Sequence, residues 1–397
     1  MDNWQLFEEA SPVLEKIEEA GFEAYFVGGS VRDYLLKRPI DDVDIATSAL
    51  PEEIKEIFHK TIDVGIEHGT VLVRWQGESY EITTFRTESE YEDFRHPNEV
   101  TFVRSLQDDL KRRDFTMNAI AMDRKGNIID PYNGQRDIQN EIITTVGCAK
   151  ERFSEDALRM MRAARFVSQL GFQLQEATYQ SLEKYTPLLK HIAVERKLNE
   201  FEKLLDGPFK HRGLQLIVQT GLYRFLPGLL YEKEALQTLI TFECTKMTNI
   251  QMWMILTDRL QVEEPTSFLK NWRLPTKKIK YILNGISLLE KRKKESWKPF
   301  DLYEYGLSLV LDVENIYSIT FGKKNEKGKL LTWNDELPLK SRKDLAITGN
   351  DLLNWSRMNG GPWVKEWIEA IEKAIISGEV KNEKESIREW LKSCKRM

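Results

Sequence analysis

Ala24-Tyr25-Phe26-Val27-Gly28-Gly29-Ser30-Val31, followed a short way on by Asp42-Val43-Asp44-Ile45, decides how this chain is read. The apolar run Ala24–Val27 predicts a short buried strand. Gly28-Gly29-Ser30 predicts a turn, after which Val31, Leu35 and Leu36 recur at helical spacing. A strand, a glycine turn and a helix N-terminus make an anion site, because free backbone N–H groups and the helix dipole converge there. On a second strand Asp42 and Asp44 share one face, and Val43 and Ile45 share the other. Carboxylates that close repel each other and call for a shared cation. Oxygen donors alone select a hard divalent ion, Mg²⁺ above all. Gly-Gly or Asp-x-Asp alone is a common turn; their order and closeness together predict metal-dependent nucleotidyl or phosphoryl transfer.

Composition sets the frame. A chain of 397 residues, 41% apolar and 30% charged, describes a globular protein of two to four domains. No apolar run approaches the roughly 20 residues of a membrane span. The start, Met1-Asp2-Asn3-Trp4, lacks a signal-peptide core, and three scattered cysteines (Cys148, Cys244, Cys394) fit a reducing compartment, so a cytoplasmic location is expected. The five histidines form no metal-hydrolase motif. A net charge of −5 argues against indiscriminate nucleic-acid binding but permits a local basic surface.

Strand signals are confined to the first ~145 residues. Thr70–Trp75 and Ser79–Phe85 flank Gln76-Gly77-Glu78 and predict a hairpin, whose Glu81 would join Asp42 and Asp44 if that face lies beside them. The polar stretch Arg86–Lys111, containing Arg95-His96-Pro97, reads as a functional loop. From Gly147 onward the texture is helical, with segments at Ser154–Leu170, Ala193–Leu205 and Leu214–Phe225, and with Ser154 placed to cap the first. Residues 271–298 hold nine basic side chains (Arg273, Lys277, Lys278, Lys280, Lys291, Arg292, Lys293, Lys294, Lys298) against Glu290 and Glu295. Trp272, Tyr281 and Trp297 are interleaved with them, which suits a surface tracking an RNA backbone.

Two further segments bear on nucleotide choice. Arg112-Arg113-Asp114-Phe115-Thr116-Met117-Asn118 gathers guanidiniums for phosphates with a carboxylate and an amide able to hold ribose hydroxyls. In Glu155-Asp156-Ala157-Leu158-Arg159-Met160-Met161-Arg162, the residues Asp156, Arg159 and Arg162 recur every third position, hence on one face of a continuous helix. Cytosine and adenine each present an amino donor beside a ring-nitrogen acceptor, whereas uracil and guanine present a carbonyl beside a ring N–H. A carboxylate next to a guanidinium therefore pairs with C and A. It leaves U and G with clashing partners, a penalty of about 1–3 kcal/mol per unpaired group.

Together with Gly28-Gly29-x-x-Arg32-Asp33, Asp42-x-Asp44 and Asp130-Pro131-Tyr132-Asn133-Gly134, these segments resemble the ordered motifs of class II tRNA nucleotidyltransferases, the CCA-adding enzymes of the polymerase β superfamily. The similarity continues through Val194-Glu195-Arg196, Ile347–Leu352 and Gly378–Asn382 and is of the bacillar type. It implies an α+β fold: a nucleotidyltransferase head with a mixed β-sheet (1–146), followed by an all-α neck (147–205), body (206–320) and tail (321–397). It implies that Asp42 and Asp44 hold Mg²⁺ with help from Glu81, and that Gly29 and Arg32 contact the triphosphate. Arg113, Asp114 and Asn118 would lie near ribose and phosphates. Asp156 and Arg159 would read the base, with Arg162 and Arg165 supporting the nucleotide. The implied partners are tRNA, gripped at its 3′ end and elbow, and the substrates CTP and ATP. No membrane and no obligate protein partner is expected. One departure is Asn133-Gly134, where the family often has Gly-Gly; Asn tolerates positive φ better than most residues. Poly(A) polymerases share the head, but the segment Asp63–Thr70 lacks their paired basic residues. CC-adding relatives lack a loop such as Arg86–Lys111, whereas A-adding ones keep it, so that alternative stays open.

Overall fold

The computed structural model describes residues 4–65, 69–88 and 100–394; residues 66–68 and Arg95-His96-Pro97 lie outside the described residues. Helix α1 (Gln5–Glu19) buries Phe7, Ala10, Val13, Leu14 and Ile17, a three- and four-residue spacing that lays one apolar stripe on the sheet. Phe7 meets Phe26 of strand β1 (Ala24–Val27) edge to face at 4.9 Å. Helix α2 (Gly29–Leu35) follows at once, then β2 (Asp44–Thr47), α3 (Pro51–Ile57), β3 (Thr61–Gly65), β4 (Thr70–Trp75) and β5 (Glu78–Thr84). Gln76 and Gly77, with φ of 52° and 98°, make the two-residue turn of the β4–β5 hairpin. Positive φ at both positions matches the right-handed twist of the strands.

The stretch 86–111, expected as a loop, has structure at both ends. Strands β6 (Arg86–Glu88) and β7 (Val100–Phe102) pair antiparallel, and α4 (Leu106–Lys111) begins at Ser105, whose hydroxyl caps Asp108 N–H. Strands β8 (Ala121–Met122) and β9 (Ile128–Ile129), helix α5 (Gly134–Gln139) and strand β10 (Ile142–Ile143) complete this part. The main sheet runs β3-β4-β5-β2-β1-β8-β9 and is mixed: β2 pairs with β5 in parallel, the other neighbours antiparallel. Its core includes Val27, Ala46, Phe85, Leu110 and Ala121.

Helices then take over: α6 (Ala149–Glu155), α7 (Leu158–Leu170), α8 (Glu176–Tyr185), α9 (Val194–Asp206), α10 (Lys210–Gln219) and α11 (Lys233–Thr241), with a short strand β11 (Gln173–Leu174) beside β10. The expected helix from Ser154 is two helices. Ser154 lies inside α6, and the chain opens to an extended conformation at Asp156 (φ −132°, ψ 102°) before α7 starts. The segment Leu214–Phe225 likewise divides into the end of α10 and a 3₁₀ turn over Leu222–Phe225. The chain falls into two compact units. One holds the described residues up to Ile240 with Asn271–Arg273, and the other holds Thr241–Lys270 with the described residues from Leu274 onward.

In the second unit the helices are α12 (Asn249–Leu260), α13 (Pro265–Asn271, whose last residue belongs to the first unit), α14 (Thr276–Lys294), α15 (Pro299–Tyr305), α16 (Leu307–Phe321), α17 (Lys327–Glu336), α18 (Gly349–Ser356), α19 (Pro362–Ile376) and α20 (Lys384–Ser393). The basic stretch does not form the aromatic-studded surface expected of it. Trp272 and Trp297 are buried, and the Tyr281 hydroxyl donates to Asp312 at 2.7 Å. Arg292 is buried against Glu314 and Glu326, Lys291 pairs with Asp301, and Lys293 with Asp258 and Glu290. Amphipathic packing takes the aromatic rings inward, and Lys291, Arg292 and Lys293, which follow them, take carboxylates with them. Lys277, Lys280 and Lys294 are the exposed cations of α14. Among the described residues no helix is long and apolar enough to cross a membrane.

Candidate active site

The sheet brings the predicted carboxylates together. Val27 faces Asp44 across the β1–β2 pair, and Ile45 lies beside Ile82 in the parallel β2–β5 pair. One residue earlier on each strand, Asp44 and Glu81 therefore stand side by side on the face opposite the buried isoleucines. Asp42 precedes β2 by two residues, and all three are exposed. Crowding by the surrounding protein raises the Asp44 carboxyl above its ordinary value; the charge of Asp42 raises it, Arg113 draws it back, and Glu81 raises it again. Among the described residues no three His, Cys, Asp or Glu side chains close into a metal cage. The arrangement suits Mg²⁺, which keeps several waters and uses one or two carboxylates together with substrate phosphates.

The glycine turn completes the phosphate side. Gly28 has φ 73° and ψ −128°, a conformation open to glycine alone. A Cβ there would stand 3.0 Å from Arg113 Nη1 and 3.8 Å from Asp44 Oδ2, so guanidinium and carboxylate converge on this backbone position. No side chain caps the N-terminus of α2, which leaves its first N–H groups open to an anion. Arg113 is aimed from behind by Asp109, which is 1% exposed and accepts from Arg113 at 3.0 Å and from Arg112 at 2.7 Å.

Asp114 and Asn118, expected near ribose and phosphates, hold arginines in place. Asp114 Oδ1 accepts from Phe115 N–H and Asn118 Nδ2, and Oδ2 accepts from Arg162 at 2.7 Å, so little acceptor capacity remains. Burial alone would raise this carboxyl; the charge of Arg162, the hydrogen bonds of Asn118 and Arg162, and the charge of Arg159 hold it at about 2. Asn118 Oδ1 accepts from Arg32 Nη1 at 2.7 Å, and Arg32 also grips Asp33. Helix α5 holds this turn in place. Gly134 touches Thr116 so closely that a Cβ would lie 2.2 Å from its carbonyl oxygen. Asn133 adopts φ 60°, as its tolerance for that region predicts, and Asp130 accepts from the N–H groups of Gly134 and Gln135.

The residues expected to read the base are arranged otherwise than one helix face would have them. Asp156 occupies the break before α7, with Oδ1 accepting from Leu158 N–H at 3.0 Å, and its carboxylate is gripped by Arg196 of α9. Arg159 donates to Glu155 at 2.6 Å and to the Arg112 carbonyl at 2.9 Å. Arg165 is buried: it pairs with Glu200 at 2.5 Å and lies 3.9 Å over the Phe166 ring, which Arg162 also approaches, at 5.6 Å. Gly29 opens α2 beside Arg32 Nη2, 3.7 Å from where a Cβ would be.

Four residues of this network escape a sequence reading of the site: Asp109, Glu155, Arg196 and Glu200. Asp109 and Glu155 sit three or four residues before their arginines, a helical spacing that announces a pair. Arg196 and Glu200 lie 40 and 35 residues from their partners and give no local signal.

Family models match three segments: residues 24–144 as "Poly A polymerase head domain", residues 171–232 as "Probable RNA and SrmB- binding site of polymerase A", and residues 245–391 as "tRNA nucleotidyltransferase domain 2 putative". The chain is 51% identical to a CCA-adding enzyme of Geobacillus sp. (strain WCH70) over 97% of its own length and 96% of that protein's. It is 49% identical to a CCA-adding enzyme of Bacillus cereus (strain 03BB102), covering 98% and 99%. A crystal structure of the Bacillus stearothermophilus CCA-adding enzyme in complex with CTP superposes with a TM-score of 0.92 at 46% identity, over 100% of this chain and 98% of that one.

Proposed function

Since the chain belongs to the family of CCA-adding enzymes, we propose that it adds C, C and A in turn to the 3′ end of tRNA from CTP and ATP, without a nucleic-acid template and with release of pyrophosphate. The observation that carries this reading is the convergence of Asp44 and Arg113 on Gly28, beside Glu81 and the open N-terminus of α2. Asp42 and Asp44, assisted by Glu81, would hold Mg²⁺, which when bound offsets phosphate charge and promotes loss of the attacking hydroxyl's proton. Gly29, Arg32 and Arg113 bind the triphosphate and orient it for in-line attack. Asp114 and Asn118, which hold Arg162 and Arg32, lie near ribose and phosphates, and Arg162 and Arg165 support the nucleotide. Asp156 accepts from the amino group of C or A, and Arg159 donates to the adjacent ring nitrogen.

The finer division into head (1–146), neck (147–205), body (206–320) and tail (321–397) is part of the same proposal, as is a cytoplasmic site of action. The tRNA is held by backbone shape on the helical part of the chain, its elbow toward the tail. The stretch Arg86–Lys111 acts as a lever that re-aims the pocket from C to A, because adenine is the larger base. The deciding experiment offers tRNA transcripts ending before CC, before A, or complete, to each NTP separately. Addition of C, C and A in turn, and nothing beyond, supports the proposal. Addition of A alone, of CC alone, or of an A tail would replace it with the A-adding, CC-adding or poly(A)-polymerase reading.

A further inference from the structure

Four strands of the main sheet each set one residue in a row that starts at the candidate metal carboxylates and ends on exposed hydrocarbon. Asp44 stands beside Glu81, Glu81 faces Leu72 and Leu72 faces Ile62, so the four side chains share one face across β2, β5, β4 and β3. Their neighbours Val71, Val73 and Ile82 point to the other face and are buried. Asp63 points there too and pairs with Lys55 of α3 at 2.7 Å. On the open face Ile62 is 48% exposed, Leu72 is half-buried, and Val64, at the bulge that follows Asp63, is 52% exposed. Single exposed aliphatics are ordinary; three adjoining ones beside a candidate active site form a surface that calls for a ligand. Two residues from Leu72, Arg74 shares this face, and its N–H donates to the carbonyl of Lys60 at 2.9 Å. Both cations are exposed, and among the described residues neither pairs with a carboxylate.

We propose that this shelf seats the 3′-terminal nucleotides of the RNA strand being extended: Ile62, Val64 and Leu72 pack against base and ribose, and Arg74 and Lys60 meet the phosphates. The inference rests on the proposed addition of nucleotides to tRNA. In-line displacement puts the attacking hydroxyl and the departing pyrophosphate on opposite sides of the reacting phosphorus. The glycine turn, the open N-terminus of α2 and Arg113 lie on the β1 side of Asp44 and would take the triphosphate. The hydroxyl must then come from the β5 side, where the row runs on to Leu72 and Ile62. With strands about 4.8 Å apart, Leu72 stands roughly 10 Å from Asp44 and Ile62 roughly 14 Å. That is within reach of the last nucleotides of a strand ending at Asp44. A platform with cations at its edge holds single-stranded RNA without reading its sequence, which suits a 3′ end that changes with each addition.

The test uses the full chain, a tRNA transcript lacking its CCA end, and CTP, with kcat and KM measured for each substrate. I62E/V64E sets two carboxylates in the path of a polyanion and is expected to lower kcat/KM for tRNA by about tenfold, with the KM for CTP and the thermal midpoint at native values. I62T/V64T removes hydrocarbon without adding charge or losing β-branching, and should lower kcat/KM for tRNA by about threefold. K60A/R74A should flatten the dependence of that ratio on salt. A transcript with 4-thiouridine as its last nucleotide should cross-link on irradiation to β3 or β4. Native kinetics for tRNA in I62E/V64E and I62T/V64T would overturn the inference and leave the proposed function standing. A rise in the KM for CTP equal to that for tRNA would overturn it too, since the shelf would then serve the nucleotide. Native kinetics with a change of sedimentation from dimer to monomer would give the face to a second copy of the chain. Failure of the native protein to extend any tRNA transcript would remove the proposed function, and this inference with it.

Discussion

Asp44 and Asp114 belong to the same unit and flank the same guanidinium cluster, yet their carboxyls are driven in opposite directions. Asp114 is almost wholly buried, and its charge is met by Arg162, Asn118 and its own following N–H. Asp44 reaches solvent but stands beside two more carboxylates with only Arg113 to offset them. The first is a finished electrostatic arrangement and the second an unfinished one. The difference fits the proposed roles: a carboxylate meant to hold a cation would stand where the chain supplies few cations of its own.

The comparison predicts its own largest break. Asp44→Ala and Asp42→Ala should each abolish incorporation of C and A, by about a thousandfold or more, in single-turnover assays with Mg²⁺. In the absence of divalent ions their thermal midpoints should be unchanged or higher, because a crowded negative charge has been removed. Near-native turnover in either variant would refute the metal assignment.

Asp114→Ala should behave in the opposite sense. It removes the nearer of two carboxylates beside Arg162, Glu200 standing 4.0 Å away, and the acceptor of Asn118 and the Phe115 N–H, so a stability loss of about 2 kcal/mol is expected in denaturant unfolding. A variant with native stability would mean that Asp114 is not part of the framework.

Acid titration sharpens the contrast. The Asp114 carboxyl is lowered from 3.8 to about 2 in the folded protein. A depressed folded-state value stabilises at pH above the unfolded-state value and is lost as pH falls through the folded one. The contribution, about 2 kcal/mol, should therefore be complete above pH ~4 and vanish near pH 2. Unfolding free energies of native protein and Asp114→Asn, followed across that window, should converge at its acid end. Parallel curves would assign the stabilisation elsewhere.

The smallest effect concerns the basic stretch, where paired and exposed cations can be told apart. Lys277→Glu, Lys280→Glu and Lys294→Glu together should weaken tRNA binding by about 1 kcal/mol and reduce its salt dependence, with CTP affinity unchanged. Arg292→Ala should instead lower stability, since it strands buried Glu314. Binding of tRNA that ignores the three lysines at every salt concentration would place the RNA surface elsewhere.

The C-terminal motifs that resemble the family illustrate how a sequence signal can be sound about kinship and silent about use. Thr348 and Asp351 form a capping box that starts α18, and Asp351 also pairs with Lys384 of α20. Asn382 accepts from Ala346 N–H and donates to the Asp344 carbonyl. They are joints of the helical unit.

What the sequence by itself determined was local. Strand Ala24–Val27, the glycine turn and the hairpin around Gln76-Gly77 follow from alternation and φ preference, which act within a few residues, whereas Asp42, expected on one strand with Asp44, lies before the strand that Asp44 begins. Glu81 beside Asp44 needed one assumption about strand order, and the parallel β2–β5 pair supplies it. Only the tertiary structure decided which carboxylate each arginine serves. Asp156 meets Arg196 from 40 residues away, Arg162 meets Asp114 from 48, and Arg165 meets Glu200 from 35. Such pairs depend on which helices pack together and on how deeply each charge is buried. A guanidinium drawn on a helical wheel faces every carboxylate in reach, whereas a buried one is held by the neighbour that packing brings to it.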